Sequence, residues 1–155
     1  MRLFAVLVVL ALSSFIAAQE PKGKEDLVKT ELKRLEGTWD VIELKFLTKA
    51  STGIMRLTER FQLEIAGTVF MVLRDGKEAG RVQFTIDPAQ EPKTLEFIDD
   101  KKTHKFIYAV EGNQLKLATL KPESSGPIGR PVSFDPQTLA DRTSMVVIVL
   151  KRAKK

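Results

Sequence analysis

Cysteine is absent from all 155 residues. That excludes disulfides, thiol catalysis and thiolate metal sites, so any core must hold by packing alone. Histidine, tryptophan and tyrosine occur once each, as His104, Trp39 and Tyr108. A single histidine gives no recurring ligand spacing for an imidazole metal centre. Internal repeats and low-complexity tracts are missing too, which argues against solenoids and disordered arrays. The one long apolar run, Leu3–Leu12, falls short of the ~20 residues that a spanning helix needs, and Met145–Leu150 is far shorter. No membrane span is expected. Basic residues are in modest excess, with a formal charge of +5. Lys151, Arg152, Lys154 and Lys155 end the chain without aromatic residues interleaved among them, so nucleic acid is not an expected partner. Weak attraction to an anionic envelope surface is the most this charge implies.

What is present begins with a leader. Met1-Arg2 is a short basic start, Leu3–Leu12 an apolar centre, and Ala17-Ala18 a small-residue stretch before polar Gln19. This is the pattern of a secretory signal peptide over 1–18, cut near Ala18. Its removal takes away Arg2 and leaves a charge of +4. The mature protein is expected to be exported, periplasmic or extracellular. Residues 19–23 form a short linker, and 24–155 one domain. With hydrophobic content of 43% and charged content of 29%, that domain is globular and long enough for a real core.

Within it, Lys24–Glu36 predicts an amphipathic helix, because Leu27, Val28, Leu32 and Leu35 recur at helical spacing. Gly37 stops it, being free to take positive φ. From there the period becomes two. Strands are predicted over Thr38–Leu47, Phe61–Ala66, Thr68–Leu73, Lys77–Ile86, Thr94–Ile98, His104–Val110, Gln114–Leu120 and Met145–Arg152. Tight turn residues such as Asp75-Gly76 and Gly112-Asn113 join several of them, so neighbours are antiparallel. The fold class expected is mainly β: an eight-stranded up-and-down antiparallel barrel with one N-terminal helix. Closure removes the exposed edges of an open sheet. Thr68–Leu73 and Met145–Leu150 are apolar on both faces and need an outer cover, for which the helix is available. Two connections are long. Thr48–Arg60 carries Ile54, Met55 and Leu57 and reads as a short helix. Lys121–Ser144 is rich in Pro, Ser, Gly and Asp.

The stretch "LEGTWDV" (35–41), with basic residues ending the last strand, resembles the lipocalin pattern. That resemblance implies that Trp39, after Gly37, closes one barrel end, and that Lys151 or Arg152 lies across it. A cation over an indole is worth ~0.5–2 kcal/mol, and here it would tie the first strand to the last. More broadly, "LEGTWDVI" (35–42), "DPAQEPKTLEF" (87–97), "IYAVEGNQLKLA" (107–118), "GRPVSF" (129–134) and "VVIVLKR" (146–152) are together similar to a small exported lipocalin-like family abundant in planctomycete bacteria. Ala118 stands where that family often has cysteine. The resemblance implies a fold and export, and carries no catalytic residues.

Chemistry-bearing constellations are sparse. Asp99 and Asp100 precede His104, but Lys101 and Lys102 between them mark a solvated turn. Ser124, Ser125 and Ser133 lack a nucleophile motif and a second histidine. No catalytic residue, metal or cofactor is expected, and the protein is not expected to be an enzyme.

An eight-stranded barrel is wide enough to fill with side chains or to hold one small ligand. The leading expectation is a monomeric binding module for a small, mainly apolar ligand. The alternative is a filled barrel acting as an envelope-associated structural or interaction domain. Alternate turns of a meander lie at opposite ends, so a ligand would enter opposite Trp39. The expected contacts are Met55 and Leu57 of the long connection and the inward-pointing Phe84 and Tyr108. The plainer reading of Tyr108 is core packing, with its hydroxyl bonded near a barrel end.

Overall fold

The computed structural model describes residues 22–99, 102–121, 129–141 and 143–154. The leader at 1–18 lies outside the described residues, as does most of the 19–23 linker. Lys22 and Gly23 already belong to helix α1, Lys22–Leu35. The helix ends one residue earlier than its sequence pattern suggests, and Gly37 follows at φ 115°.

Among the described residues nine strands follow, all but β2 in meander order: β1 (Gly37–Leu47), β2 (Thr52–Met55), β3 (Phe61–Ala66), β4 (Val69–Arg74), β5 (Lys77–Asp87), β6 (Thr94–Asp99), β7 (Lys102–Glu111), β8 (Gln114–Lys121) and β9 (Ser144–Arg152). All pairings are antiparallel. β1 also pairs with β9 from Trp39 opposite Arg152 to Leu47 opposite Met145, closing an eight-stranded barrel. The expected first-to-last closure is therefore present.

The ninth strand, β2, is a departure from the short-helix reading of Thr48–Arg60. β1 divides its free edge. Gly37–Asp40 pairs with β3, while Leu44–Leu47 pairs with β2. The outer half of β1 would otherwise expose unpaired amides, and folding the chain back as β2 satisfies them.

A bulge at Ile42 shifts the β1–β9 register between Val41 and Glu43. One extra residue flips the facing of all that follow. Trp39 and Val41 face inward before it; Leu44 faces inward after it, and Leu47 joins the outer side. Ile42 itself is exposed.

Two cores result. The larger lies inside the barrel and includes Trp39, Ile65, Phe70, Phe84, Leu95, Phe106, Tyr108, Leu115, Leu117 and Leu150, with Leu35 of α1. Its rings meet edge to face, with centroids 4.5 Å apart for Phe70–Phe84 and 4.8 Å for Phe97–Phe106. The second core lies outside, where Met145, Val147 and Val149 meet Leu47, Ile107, Ala118 and Leu139, with Phe134 alongside. This corrects the assignment of an outer cover to the helix. The segment 129–141, containing a single 3₁₀ turn at Pro136–Thr138, covers β9. α1 instead contributes Leu35 and Leu32 to the inner core and plugs one barrel end. Among the described residues, no helix is long and apolar enough to cross a membrane.

Candidate functional site

The two barrel ends are built differently. At the plugged end, Gly37, Trp39 and Arg152 form a clasp on α1. A helix terminus leaves carbonyls without intrahelical partners. Here three consecutive ones are taken. Arg152 donates through its two terminal guanidinium nitrogens to the carbonyls of Glu36 and Arg34, both at 2.7 Å. Trp39 donates Nε1–H to the carbonyl of Leu35 at 2.8 Å. The guanidinium also lies 4.1 Å from the indole centroid. It thus meets the negative pole of the helix dipole and the negative face of the ring together. Gly37 leaves room for this: a Cβ there would stand 3.0 Å from the guanidinium. Of the two cations expected over Trp39, Arg152 occupies the place. Lys151 stands opposite Asp40 in the β1–β9 ladder and is exposed.

Glu31, which the helical pattern gave no reason to single out, is only 5% exposed. It accepts from Lys93 Nζ at 2.6 Å and from Arg34 at 3.1 Å. Tyr108 lies in this plugged half, and its buried hydroxyl has no hydrogen-bond partner among the described residues. Burial pushes its phenol well above the usual range, and the charge of Glu31 adds to this.

The opposite end is a mouth. It opens on a cavity of about 340 Å³ whose lining is entirely hydrophobic. Val41 and Leu44 of β1, Phe61 and Leu63 of β3, Phe70 and Val72 of β4 and Val82 of β5 form one side. Phe97, Leu117 and Ile148 form the other, with Leu57 at the lip. Such a volume is at the small end of the ~300–1,000 Å³ range of ligand clefts. Larger hollows exist, such as one of about 660 Å³ beside Arg81, Gln83 and Asp99. That hollow and others of larger volume mix polar with apolar side chains, so an apolar guest there would stay partly wet. The mouth cavity is lined by inward barrel residues without a polar side chain.

Of the four residues expected to touch a ligand, only Leu57 lines this cavity. Met55 stands opposite Leu44 in the β1–β2 ladder but is 47% exposed and outside the lining. Phe84 is buried one ring below, against Phe70. Tyr108 is buried and borders a hollow with Lys93 and Phe134 instead. Most lining residues come from inward rows whose height along the barrel the sequence does not reveal. Gly80 is a further one to note: it pairs with Val72 of the lining, and a Cβ on it would meet open space.

His104 is half-buried and stands opposite Phe97. Among the described residues, no group of His, Asp and Glu side chains is placed to hold a metal ion.

The fold and site together define an eight-stranded antiparallel barrel with one end plugged and one apolar mouth. Comparison with protein-family models, curated proteins and solved structures gives no match.

Proposed function

We propose that this chain is an exported, lipocalin-like module that binds a small, mainly apolar ligand in the barrel mouth. The observation that carries the reading is the wholly hydrophobic cavity opposite the plugged end. Unfilled apolar walls forfeit dispersion contacts that a guest restores. The lower barrel is filled by aromatic rings, so only the upper half is offered to a ligand. The leader at 1–18 supports export, and the Gly-x-Trp start with its basic partner supports the lipocalin-like assignment. The same features fit the small planctomycete family.

A titration with an environment-sensitive apolar dye tests this. The wild type is compared with Leu57→Asp, which puts a charge at the lip, and with Gly80→Phe, which puts a ring where space is open. Both variants are expected to bind at least about tenfold more weakly, a change of ~1.4 kcal/mol, with little change in melting temperature. Equal dye binding by all three proteins, or none by the folded wild type, would instead favour a barrel that acts as an interaction domain.

A further inference from the structure

β2 satisfies the outer half of β1 but brings an edge of its own. Among the described residues every other strand is paired on both sides, whereas β2 has β1 alone. The hairpin closes with the Thr48 N–H donating to the carbonyl of Ser51 at 2.9 Å. Alternation then turns Gly53, opposite Phe46, and Met55, opposite Leu44, toward β1. Thr52 and Ile54 turn their N–H and C=O groups the other way, where they meet no partner among the described residues. Unpaired strand groups are a template for another strand, and natural edges are commonly guarded by lysine, proline or an inward-pointing charge. "TGIM" carries none of these. Its apolar side chains are uncovered instead. Ile54 is 60% exposed, and Met55 and Ile42 beside it are exposed too.

We infer that β2 pairs antiparallel with the β2 of a second copy of this chain, across a two-fold axis at Gly53. The strand has two outward-turned residues, and this register uses both. Thr52 of one copy exchanges a pair of hydrogen bonds with Ile54 of the other, and the symmetry repeats the pair. Every free donor and acceptor of the two edges is then satisfied. A register centred on Thr52 or on Ile54 would send the other residue opposite Ala50 or Arg56, outside the strand. Side chains agree with the Gly53 register. On one face Ile54 lies between Lys45 of its own β1 and Thr52 of the other copy, so an exposed apolar group gains cover. Lys45 is already neutralised by Glu43 at 3.0 Å, and β2 itself brings no charge. On the other face glycine meets glycine, and no side chain holds the strands apart. Such an interface uses the same patch on both copies and closes at two. Because the strands are short, the association is weak and reversible, in place of the expected monomer.

The absence of cysteine makes a direct test possible. The axis puts Gly53 opposite itself in a non-hydrogen-bonded pair, with Cα atoms ~4.5 Å apart and within disulfide reach. A Cβ on Gly53 would meet Phe46 at an ordinary 3.8 Å, so Gly53→Cys fits the strand. Under mild oxidation it is expected to form a linked dimer at least about tenfold faster than Ala66→Cys, an exposed control at the end of β3. For the wild type, sedimentation equilibrium should show a mass rising from monomer toward dimer between about 10 µM and about 1 mM. Ile54→Lys guards the edge with a charge and should hold the mass at monomer over that range, with the melting temperature unchanged. A wild type that stays monomeric throughout, with Gly53→Cys no faster than the control, would overturn the inference. A dimer untouched by Ile54→Lys would overturn it as well, by placing the contact on another surface. A monomeric wild type whose Thr52 and Ile54 amide resonances shift on adding a Thr-Val repeat peptide would rule out the second copy and give the edge to an extended peptide. The ligand reading is tested separately by the dye titration.

Discussion

Replacing Gly37 by alanine probes the clasp at two levels at once. Its φ of 115° is a conformation that L-residues avoid, so the backbone strain alone is ~1–3 kcal/mol. The new Cβ would also stand 3.0 Å from the Arg152 guanidinium, which must then shift from its carbonyl partners or from the indole. Arg152→Ala removes the guanidinium outright. Hydrogen bonds to a charged group contribute ~1.5–3 kcal/mol each when well shielded. Here Arg152 is half-exposed, so two bonds and the ring contact together are taken as ~2–3 kcal/mol. In the Arg152→Ala background, Gly37→Ala meets no guanidinium and retains only the backbone strain. The two changes are therefore expected to be less than additive, by ~1 kcal/mol. Urea unfolding measures this directly, because Trp39 is the sole tryptophan and its fluorescence reports on the clasp itself. Far-UV circular dichroism checks that both probes follow one transition. Additivity within ~0.3 kcal/mol, or a Gly37→Ala cost below ~0.5 kcal/mol against the strain expected, would refute the packing of Gly37 under Arg152.

Two further outcomes follow from the cores. Tyr108→Phe removes a buried hydroxyl that has no partner among the described residues, so it should cost less than ~1 kcal/mol at neutral pH or stabilise slightly. Burial raises the phenol pKa in the folded state above the ~10 of an unfolded tyrosine. That contribution is complete below pH ~10 and falls as pH rises beyond it, because only the unfolded chain then ionises. Tyr108→Phe should therefore lose less stability than wild type between neutral and strongly alkaline pH, as read by urea midpoints; parallel losses would count against its burial. Leu139→Ala should cost ~2–3 kcal/mol by opening the outer core, while leaving dye affinity at the mouth unchanged. A coupled loss of affinity would show that the two cores are not independent.

How much of this was legible in the sequence differs by feature. Strand positions were readable because turn residues such as Asp75-Gly76 and Gly112-Asn113 punctuate runs most of which alternate, and both glycines do take positive φ. β2 was not, since "TGIM" has no alternation and is exposed throughout; only its pairing with the outer half of β1 makes it a strand. The bulge at Ile42 left a trace, the apolar phase passing from Trp39 and Val41 to Leu44 and Phe46, but adjacent Val41 and Ile42 are both apolar and blur where the extra residue falls. Phe134 and Leu139 were lost in a polar connection, although they cover the outward residues of β9. The clasp was half visible. Trp39 and a terminal cation suggested a stacked pair, but nothing in the sequence shows three helix-end carbonyls converging on it. The candidate ligand residues show the limit of periodicity most plainly. Alternation placed Phe84 and Tyr108 on the inward face, as the structure does. Height along the barrel axis depends on strand tilt and stagger, and those put both residues in the filled half.

The central claim is that the mouth, and not the plugged half or the outer wall, receives the ligand. Methyl resonances in a carbon–proton correlation spectrum, followed during titration with dodecanol, test it most directly. The account predicts shifts at Val41, Leu44, Leu57, Leu63, Val82 and Ile148, which line the cavity. It predicts none at Leu35, Leu95 or Leu115 in the plugged half, nor at Leu139 in the outer core. Shifts confined to exposed residues such as Leu27 or Ile54, or an unchanged spectrum at saturating ligand, would contradict it.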